Sequence, residues 1–191
     1  MKGRPDFELL ESRTVFEGRV LGLEVDRVRL QNGRVSELEV VRHPGAVAIA
    51  PVTADGDVLL VRQFRYATRE WLLEVPAGKL DPGEEPEAAA GRELEEETGY
   101  RAGYLEPLGW VWTTPGFSNE VIHLYLAHDL EPASQALQDD EVLTVERLPL
   151  VEAVERALDG RLHDSKSVCC LLRAARRLTA IGPGKHIPIQ L

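Results

Sequence analysis

The stretch that decides the fold is GKLDPGEEPEAAAGRELEEETGY, residues 78–100. Pro86 suits the first turn of a helix, and Gly99 suits the position directly after a helix ends, so a helix is predicted from Pro86 to Thr98. The glycine, proline and aspartate residues before it predict a loop over residues 76–85. The segment therefore indicates a loop that leads into an acidic helix.

Three carboxylates are predicted on one face of this helix. At about 100° per residue, Glu96 and Glu97 lie within about 60° of Glu93, whereas Glu95 lies on the opposite side. Like charges on one face repel each other, and the negative end of the helix dipole adds to the repulsion. A bound cation would offset this repulsion, and carboxylate oxygens suit Mg²⁺ or Mn²⁺. The alternative is a solvated acidic face, but Arg92 is placed to orient the carboxylates.

The spacing of this segment resembles the complete signature of the Nudix hydrolase family. The matching positions are Gly78, Glu84, Arg92, Glu93, Leu94, Glu96, Glu97 and Gly99. The resemblance implies an α/β fold, an α/β/α sandwich with a mixed sheet, and hydrolysis of a nucleoside diphosphate linked to another group. It further implies that Glu93, Glu96, Glu97 and the Ala77 carbonyl bind the metal, with Glu93, Glu97 and Arg92 in the catalytic centre, Glu84 as an accessory carboxylate and Gly78 beside the substrate.

A second segment, TPGFSNE at residues 114–120, narrows the substrate. Pro115 follows Gly99 by 16 residues, which resembles the ADP-ribose pyrophosphatase subgroup of the family. Pro115 and Gly116 form a rigid turn whose backbone could approach a ligand, although an ordinary turn between strands would look the same. The stretches 41–47, 61–65 and 74–79 also resemble that subgroup. The resemblance implies that Arg65 and Arg62 contact the diphosphate; otherwise they are partly exposed strand arginines.

The general base is expected outside the acidic helix. Hydrolysis needs a carboxylate that accepts a proton from the attacking water. In the enzymes that this chain resembles, the base lies on an acidic loop, and residues 137–141 match that loop. Asp139 and Glu141 are candidates, and Glu120 is a third. A solvated acidic loop without a catalytic role is the alternative.

The N-terminal region has strand character over residues 13–42, with a hairpin turn at residues 31–33. A soft boundary at residues 43 and 44 divides an N-terminal antiparallel β hairpin region, 1–43, from the catalytic domain, 44–191. A hairpin of this size cannot form a core alone, so it must pack on something else. Resemblance implies exchange of this region across a homodimer, with Phe16, Arg19 and Arg42 beside the adenine.

The rest of the chain predicts an alternation of strands and helices. The nearly continuous apolar run at residues 46–52 predicts a buried central strand. Further strands are predicted over 58–64, 71–75, 104–113, 120–128 and 142–148, and helices over 150–159 and 165–179. The tail after residue 180 is expected to be irregular.

The acidic composition limits the kind of partner. The net charge is −10, and residues 78–100 hold eight acidic and two basic residues, a net −6. This charge argues against nucleic-acid binding and agrees with cations held at one place. No apolar run is long enough for a membrane span or a signal peptide, and the adjacent Cys169 and Cys170 read as buried, reduced thiols. We therefore expect a cytoplasmic protein.

Together these features predict a Mg²⁺-dependent hydrolase that cleaves ADP-ribose to AMP and ribose 5-phosphate, with Mn²⁺ or another divalent cation as a substitute. The alternatives are hydrolysis of other ADP-sugars or nucleoside-diphosphosugars and, from a different class, a non-catalytic domain that binds ADP-ribose. The last alternative usually requires a lost signature residue, whereas every defining position is filled here.

Overall fold

A computed structural model describes residues 7–138 and 141–180 of the 191-residue chain. These residues form ten strands and three helices. The strands are β1 (Phe7–Glu17), β2 (Gly22–Leu30), β3 (Val35–Arg42), β4 (Ala46–Pro51), β5 (Asp57–Arg65), β6 (Glu70–Glu74), β7 (Ala77–Lys79), β8 (Tyr100–Trp112), β9 (Val121–Pro132) and β10 (Leu143–Pro149), and the helices are α1 (Pro86–Thr98), α2 (Leu150–Leu158) and α3 (Ser165–Ala180).

The contacts divide the chain into two compact units. The first contains the residues up to Gly45 together with Trp112–Val121, and the second contains Ala46–Val111 and the residues from Ile122 onward. The functional division proposed at residues 43 and 44 stays a prediction. No helix in the described part of the chain is long and apolar enough to cross a membrane.

Strand β4 is the centre of the second unit. It lies in the four-stranded sheet β7-β4-β9-β8, parallel to β9 and antiparallel to β7. Ala48 and Ala50 belong to a buried cluster that includes Leu171 of α3. The alternate β4 residues Val47 and Ile49 instead join a cluster with α1. Because successive strand residues point to opposite faces, helices cover both sides of the sheet, which confirms the predicted α/β/α sandwich with a mixed sheet.

A second sheet of this unit, in the order β10-β5-β6, is antiparallel throughout. Val58 and Leu60 of β5 enter the same cluster as α3, together with Leu150 of α2. Strand β6 ends at the buried Glu74, directly before the segment that leads into β7. The sheet therefore places the ends of β5 and β6 close to the strand that precedes α1.

The first unit is an antiparallel sheet, β1-β2-β3, with little core of its own. Every residue of β1 is exposed, and in β2 only Asp26 and Val28 are buried. The predicted hairpin turn is confirmed, since Gly33 has a φ of 80° and donates its N–H to the Leu30 carbonyl. Residues 112–121 join this unit through backbone hydrogen bonds to Val41 of β3.

The predicted elements match in kind and order, but the strand predicted over 104–113 begins at Tyr100, and the one predicted over 120–128 ends at Pro132. Residues 76–85 are not entirely loop, because Ala77–Lys79 form the short strand β7 paired with Ala46–Ala48. Three residues are too few to give a periodic signal, so pairing with β4 alone determines this strand. The N-terminal strand also begins earlier than residue 13, at Phe7. The predicted irregular tail lies outside the described residues.

Candidate active site

Helix α1 begins and ends at the residues that its sequence predicts. Pro86 occupies the first turn, and Gly99 adopts the left-handed conformation with a φ of 72°, donating its N–H to the Glu95 carbonyl. A residue with a side chain would be strained at this φ, whereas glycine is not. The helix packs on the sheet through Ala90 and Leu94, both fully buried, which fixes the face that carries the acidic side chains.

The four glutamates in the C-terminal half of α1 separate into two environments. Glu93 and Glu97 are only 3% and 2% exposed, and Glu96 beside them is partly exposed. Glu95 points away and forms a two-bond ion pair with Arg101, at 2.9 and 2.7 Å. The helical spacing alone predicts this separation. Substitution of Glu95 is therefore a suitable control for substitutions of the other three glutamates.

Arg92 gathers three carboxylates around one guanidinium. Its Nε and Nη2 atoms each donate to a Glu84 oxygen at 2.9 Å. Its Nη1 atom donates to Glu93 at 2.7 Å and to Glu96 at 3.1 Å. The Glu84 carboxylate also accepts the Asp81 N–H at 3.0 Å. Arg92 thus joins the loop to the helix and offsets part of the repulsion between the acids.

The buried carboxylates lie against the backbone of β7. A Cβ atom on Gly78 would lie 2.0 Å from the carboxyl carbon of Glu93, so only glycine leaves room for that side chain. The Ala77 N–H donates to Glu97 Oε2 at 2.9 Å. Strand β7, three residues long, therefore forms the floor beneath both acids.

Burial and charge shift the pKa values of these acids in opposite directions. Burial raises the pKa of Glu97 to about 8, and the neighbouring Glu93 and Glu141 add to the shift. Burial likewise raises the pKa of Glu93, although Arg92 opposes it. The hydrogen bonds from Arg92 lower the pKa of Glu84 to about 2. The site therefore holds buried acids whose ionised forms lack full compensation, beside one that is firmly ionised.

Within residues 7–138 and 141–180, no three His, Cys, Asp or Glu side chains converge as a metal-binding cluster would. The hydrogen bonds explain why: Arg92 holds Glu93 and Glu96, whereas the Ala77 N–H holds Glu97. The predicted ligands are thus neighbours on one helix face that already have protein partners. A cation would have to compete with these partners for the carboxylate oxygens.

The segment after β9 caps the C-terminal end of α1, a feature that the sequence analysis missed. The N–H groups of Ala133 and Ala136 donate to the carbonyls of Gly99 and Glu96, at 2.7 and 3.0 Å. Gln135 Nε2 donates to the Glu97 carbonyl at 2.6 Å. Carbonyls at a helix end need such donors, but no motif connects residue 135 with residue 97.

Of the predicted base candidates in the acidic loop, Glu141 lies near the carboxylates of α1. Its charge raises the pKa values of Glu93 and Glu97, which requires proximity. Glu141 also receives the N–H of Gln138 at 2.9 Å, an interaction within the loop. Asp139, the other candidate on this loop, lies outside the described residues.

The two arginines predicted at the diphosphate lie on opposite faces of β5. Arg65 donates from Nε and Nη2 to both oxygens of the buried Glu74, at 2.8 and 2.7 Å. Arg62, three positions earlier, pairs with Glu146 at 3.6 Å and lines a cleft of about 440 Å³ with Trp71. Because strand residues alternate between faces, Arg62 and Arg65 cannot project to the same side of this sheet.

The remaining predicted residues belong to the first unit. Arg42 donates to Glu24 at 2.6 Å and to Asp26 at 2.9 Å. Phe16 is 55% exposed, with its ring over Gly18, and Arg19 is also exposed. The other three residues lie in or beside the loop between β8 and β9: Pro115 and Gly116 form an exposed turn, and Glu120 accepts a hydrogen bond from Thr113 at 2.8 Å.

Comparison with known proteins identifies the family of this chain and several similar proteins. The NUDIX domain family matches residues 41–169. A methanol dehydrogenase activator of Bacillus methanolicus is 44% identical over 83% of this chain and 87% of its own length. An ADP-ribose pyrophosphatase of Bacillus subtilis is 41% identical over 83% of this chain and 89% of its own length. A solved ADP compounds hydrolase superposes with a TM-score of 0.82 at 27% identity, covering 95% of this chain and 99% of that one.

The raised pKa of Glu97 predicts a pH-dependent stability for the metal-free protein. The folded-state pKa of about 8 exceeds the ordinary value of 4.5, so the stabilisation is complete below about pH 4.5 and is lost as the pH rises through 8. Between these values Glu97 should lower the free energy of unfolding by up to about 1.4 kcal/mol per pH unit.

Urea unfolding at pH 6 and pH 8, with chelator present, measures this effect. Glu97→Gln should flatten the dependence on pH, whereas the matched variant Glu95→Gln on the opposite helix face should leave the wild-type slope. An identical slope in wild type and Glu97→Gln would contradict the raised pKa.

Proposed function

Because the chain belongs to the NUDIX domain family, we propose that it hydrolyses the diphosphate linkage of ADP-ribose to give AMP and ribose 5-phosphate. The observation that carries the proposal is the group of Glu93, Glu96 and Glu97 on one face of α1, with Arg92 bonded to the first two and the Ala77 N–H bonded to the third. The substrate is supported by the pyrophosphatase of Bacillus subtilis, which is 41% identical. The solved ADP compounds hydrolase agrees with the same class of substrate.

The residues of the site fit a divalent cation, which we propose to be Mg²⁺ with Mn²⁺ as a substitute. The proposed donors are all oxygens, from Glu93, Glu96, Glu97 and the Ala77 carbonyl, and hard cations prefer such donors. Two of these carboxylates are buried and have raised pKa values, because burial disfavours their ionised forms. A bound cation would compensate this buried negative charge. When bound, it would neutralise phosphate charge and lower the pKa of a water molecule.

The chain's own residues supply orientation and charge. Arg92 orients Glu93 and Glu96, to which it already donates hydrogen bonds. Gly78 leaves room for the Glu93 carboxylate against the backbone of β7. We assign Arg65 to the diphosphate, since its guanidinium is partly exposed and its charge acts on Glu97. Arg62 is the weaker candidate because it lies on the other face of β5 and pairs with Glu146.

For the general base we propose Glu141. Its electrostatic effect on Glu93 and Glu97 indicates that it lies near the carboxylate group, and it is partly exposed to solvent. The base must reach the attacking water, which a partly exposed glutamate can do. Asp139 and Glu120 remain rivals, the former beyond the described residues and the latter bonded to Thr113 in the other unit.

The names of the relatives leave a choice of function. The Bacillus methanolicus relative is named for its effect on another enzyme, whereas the Bacillus subtilis relative is named for a reaction. The completeness of the acidic signature favours a reaction, because a non-catalytic domain of this kind usually lacks one of these residues. Hydrolysis of other ADP-sugars or nucleoside-diphosphosugars is the alternative within the same chemistry.

We propose that the protein is a homodimer formed through residues 1–43. The described part of this region exposes large apolar side chains on a sheet that buries little: Phe7, Leu9, Val15, Phe16, Val35 and Leu38. A second copy could cover such a surface. In this arrangement Phe16, Arg19 and Arg42 would contact the base, and the turn at Pro115 and Gly116 would contact the substrate.

We further propose a cytoplasmic protein with a small-molecule substrate and no nucleic-acid or membrane partner. The net charge of −10 supports this, because phosphate backbones and anionic lipid surfaces would be repelled by it. The described cysteines, Cys169 and Cys170, are free, and Cys170 is fully buried.

Turnover of a substrate panel tests the proposed reaction. With Mg²⁺, ADP-ribose should be cleaved faster than ADP-glucose, GDP-mannose, diadenosine polyphosphates or nucleoside triphosphates, and chelator should abolish turnover. Glu97→Gln should lower kcat by about 10²–10⁴-fold, since it removes a carboxylate at the reacting group. The matched variant Glu95→Gln should stay within about 2-fold of wild type because its partner is the exposed Arg101.

Preference for GDP-mannose or a triphosphate would contradict the substrate, and turnover in excess chelator would contradict the metal. Full activity of Glu97→Gln, with folding unchanged, would contradict the placement of the site on this face of α1.

The pH dependence of kcat identifies the base. In wild type, kcat should rise with pH through the pKa of the base and then level off. Glu141→Gln should lower the plateau by about 10²-fold or more and remove that rise, whereas Glu120→Gln and Asp139→Asn should preserve the rise. Loss of the rise in either of the latter variants instead would transfer the role to that residue.

The dimer is tested by light scattering at working concentration. A homodimer should give a mass near twice the 21.2 kDa of one chain. Substitution of the exposed apolar pair Leu9→Ser and Phe7→Ser should shift the mass toward one chain, whereas Leu158→Ser, on an exposed position of α2, should not. A wild-type mass of one chain would contradict the proposal.

A further inference from the structure

Glu74 is a buried carboxylate that the proposed reaction does not use directly. It is 1% exposed at the end of β6, and both of its oxygens accept hydrogen bonds from Arg65. A second cation, Lys166 of α3, donates to the same carboxylate from its Nζ atom. Glu74 therefore lies between a cation that faces the proposed site and one that comes from a helix distant in sequence.

The first turn of α3 holds Lys166 in this place. Lys166 Nζ also donates to Asp164 at 2.9 Å. The same carboxylate accepts the Ser167 N–H at 3.0 Å and the Ser167 hydroxyl. The Ser167 oxygen in turn accepts the Val75 N–H at 2.8 Å, in the segment between β6 and β7. The start of α3 is thus fastened to the chain directly before the Ala77 N–H that holds Glu97.

The four charged groups of this network form a neutral set: Arg65 and Lys166 against Glu74 and Asp164. Burying an ion pair is favourable only when charges and hydrogen bonds are fully matched. Burial alone would raise the pKa of Glu74, but Arg65 and Lys166 together hold it below the ordinary value. Without Lys166, the remaining charges of Arg65, Glu74 and Asp164 would sum to −1, which would weaken the attraction of Arg65 for an anion.

Arg65 bonds Glu74 through one edge of its guanidinium. Its Nε and Nη2 atoms bond Glu74, whereas its Nη1 atom has no hydrogen-bond partner among the described residues. The side chain is 40% exposed although Glu74 beneath it is 1% exposed. A guanidinium held in this way presents its remaining N–H groups in a fixed direction, which suits a phosphate oxygen.

We propose that Lys166 is a positioning residue for substrate binding: it anchors and partly neutralises Glu74, so that Arg65 is both held in direction and free to attract an anion. The inference rests on the proposed function, since it takes a diphosphate as the ligand of Arg65. Lys166 itself is 12% exposed, and its role is to hold Glu74 rather than to contact the substrate.

A double-mutant cycle between Lys166 and Arg65 tests the proposal. Lys166→Gln should lower kcat/KM for ADP-ribose by about 10–100-fold, the range for loss of one hydrogen bond to a charged group, mainly through a higher KM. In the Arg65→Gln background the same change should have less than about a 2-fold effect, because the residue that Lys166 positions is gone. Lys166→Arg, which keeps the charge, should restore most of the wild-type value.

Stability controls separate positioning from general damage. Leu171→Val removes a fully buried methylene from the same helix and does not touch the network. This variant should lower Tm, as Lys166→Gln does, but should leave KM unchanged. If Lys166→Gln does not fold, Lys166→Met, which also removes the charge and keeps an unbranched side chain, replaces it in the cycle. Equal effects of Lys166→Gln in both backgrounds, or a KM unchanged from wild type, would overturn the proposal.

The affinity for ADP, measured by calorimetry with the same variants, separates this inference from the proposed reaction. If wild type does not hydrolyse ADP-ribose, the proposed function fails, and the cycle is still read from ADP affinity. If wild type is active but the cycle is additive in both kcat/KM and ADP affinity, the role of Lys166 alone fails.

Discussion

Mutual repulsion of carboxylates on one face of α1 is the constraint on which the rest of the structure depends. Glu93 and Glu97 are buried side by side near the negative end of the helix dipole, where neither would be stable as an isolated anion. Arg92 donates to Glu93 and the Ala77 N–H donates to Glu97, while the N–H groups of Ala133 and Ala136 bond carbonyls at the C-terminal end of α1. Helix α1 and strand β7 both pack against β4, so the sheet fixes the donors that hold the two buried acids.

Local sequence could predict the helix because its signals are local. Pro86, Gly99 and the 3.6-residue period fix where α1 starts, ends and turns its acids, and these features do not depend on distant residues. The separation of Glu95 from Glu93 and Glu97 follows from the same arithmetic. Most of the strands were predictable for a similar reason, since an apolar run such as residues 46–52 needs a covered sheet.

Long-range contacts account for what the sequence could not predict. Strand β7 exists because Ala77–Lys79 pair with β4, and no property of those three residues requires it. Gln135 and Lys166 carry no motif, yet one caps α1 and the other balances the charge at Glu74. Arg62 and Arg65 looked equivalent in a run of matching residues, but the alternation of β5 gives them different neighbours. Contacts between residues far apart in the chain are settled by packing, which a single sequence does not display.

The two faces of β4 also differ in how much apolar contact is buried against them. Among the described residues, seventeen are buried in the cluster on the α3 side, but only seven in the cluster on the α1 side. Local opening free energies follow the amount of buried apolar contact, so the smaller cluster should open more often. The helix that carries the acidic group therefore belongs to the less strongly protected layer of the sandwich, and amide hydrogens there should exchange with solvent sooner than those of α3. A molecule built this way can adjust its acidic group while the opposite layer keeps the sheet intact.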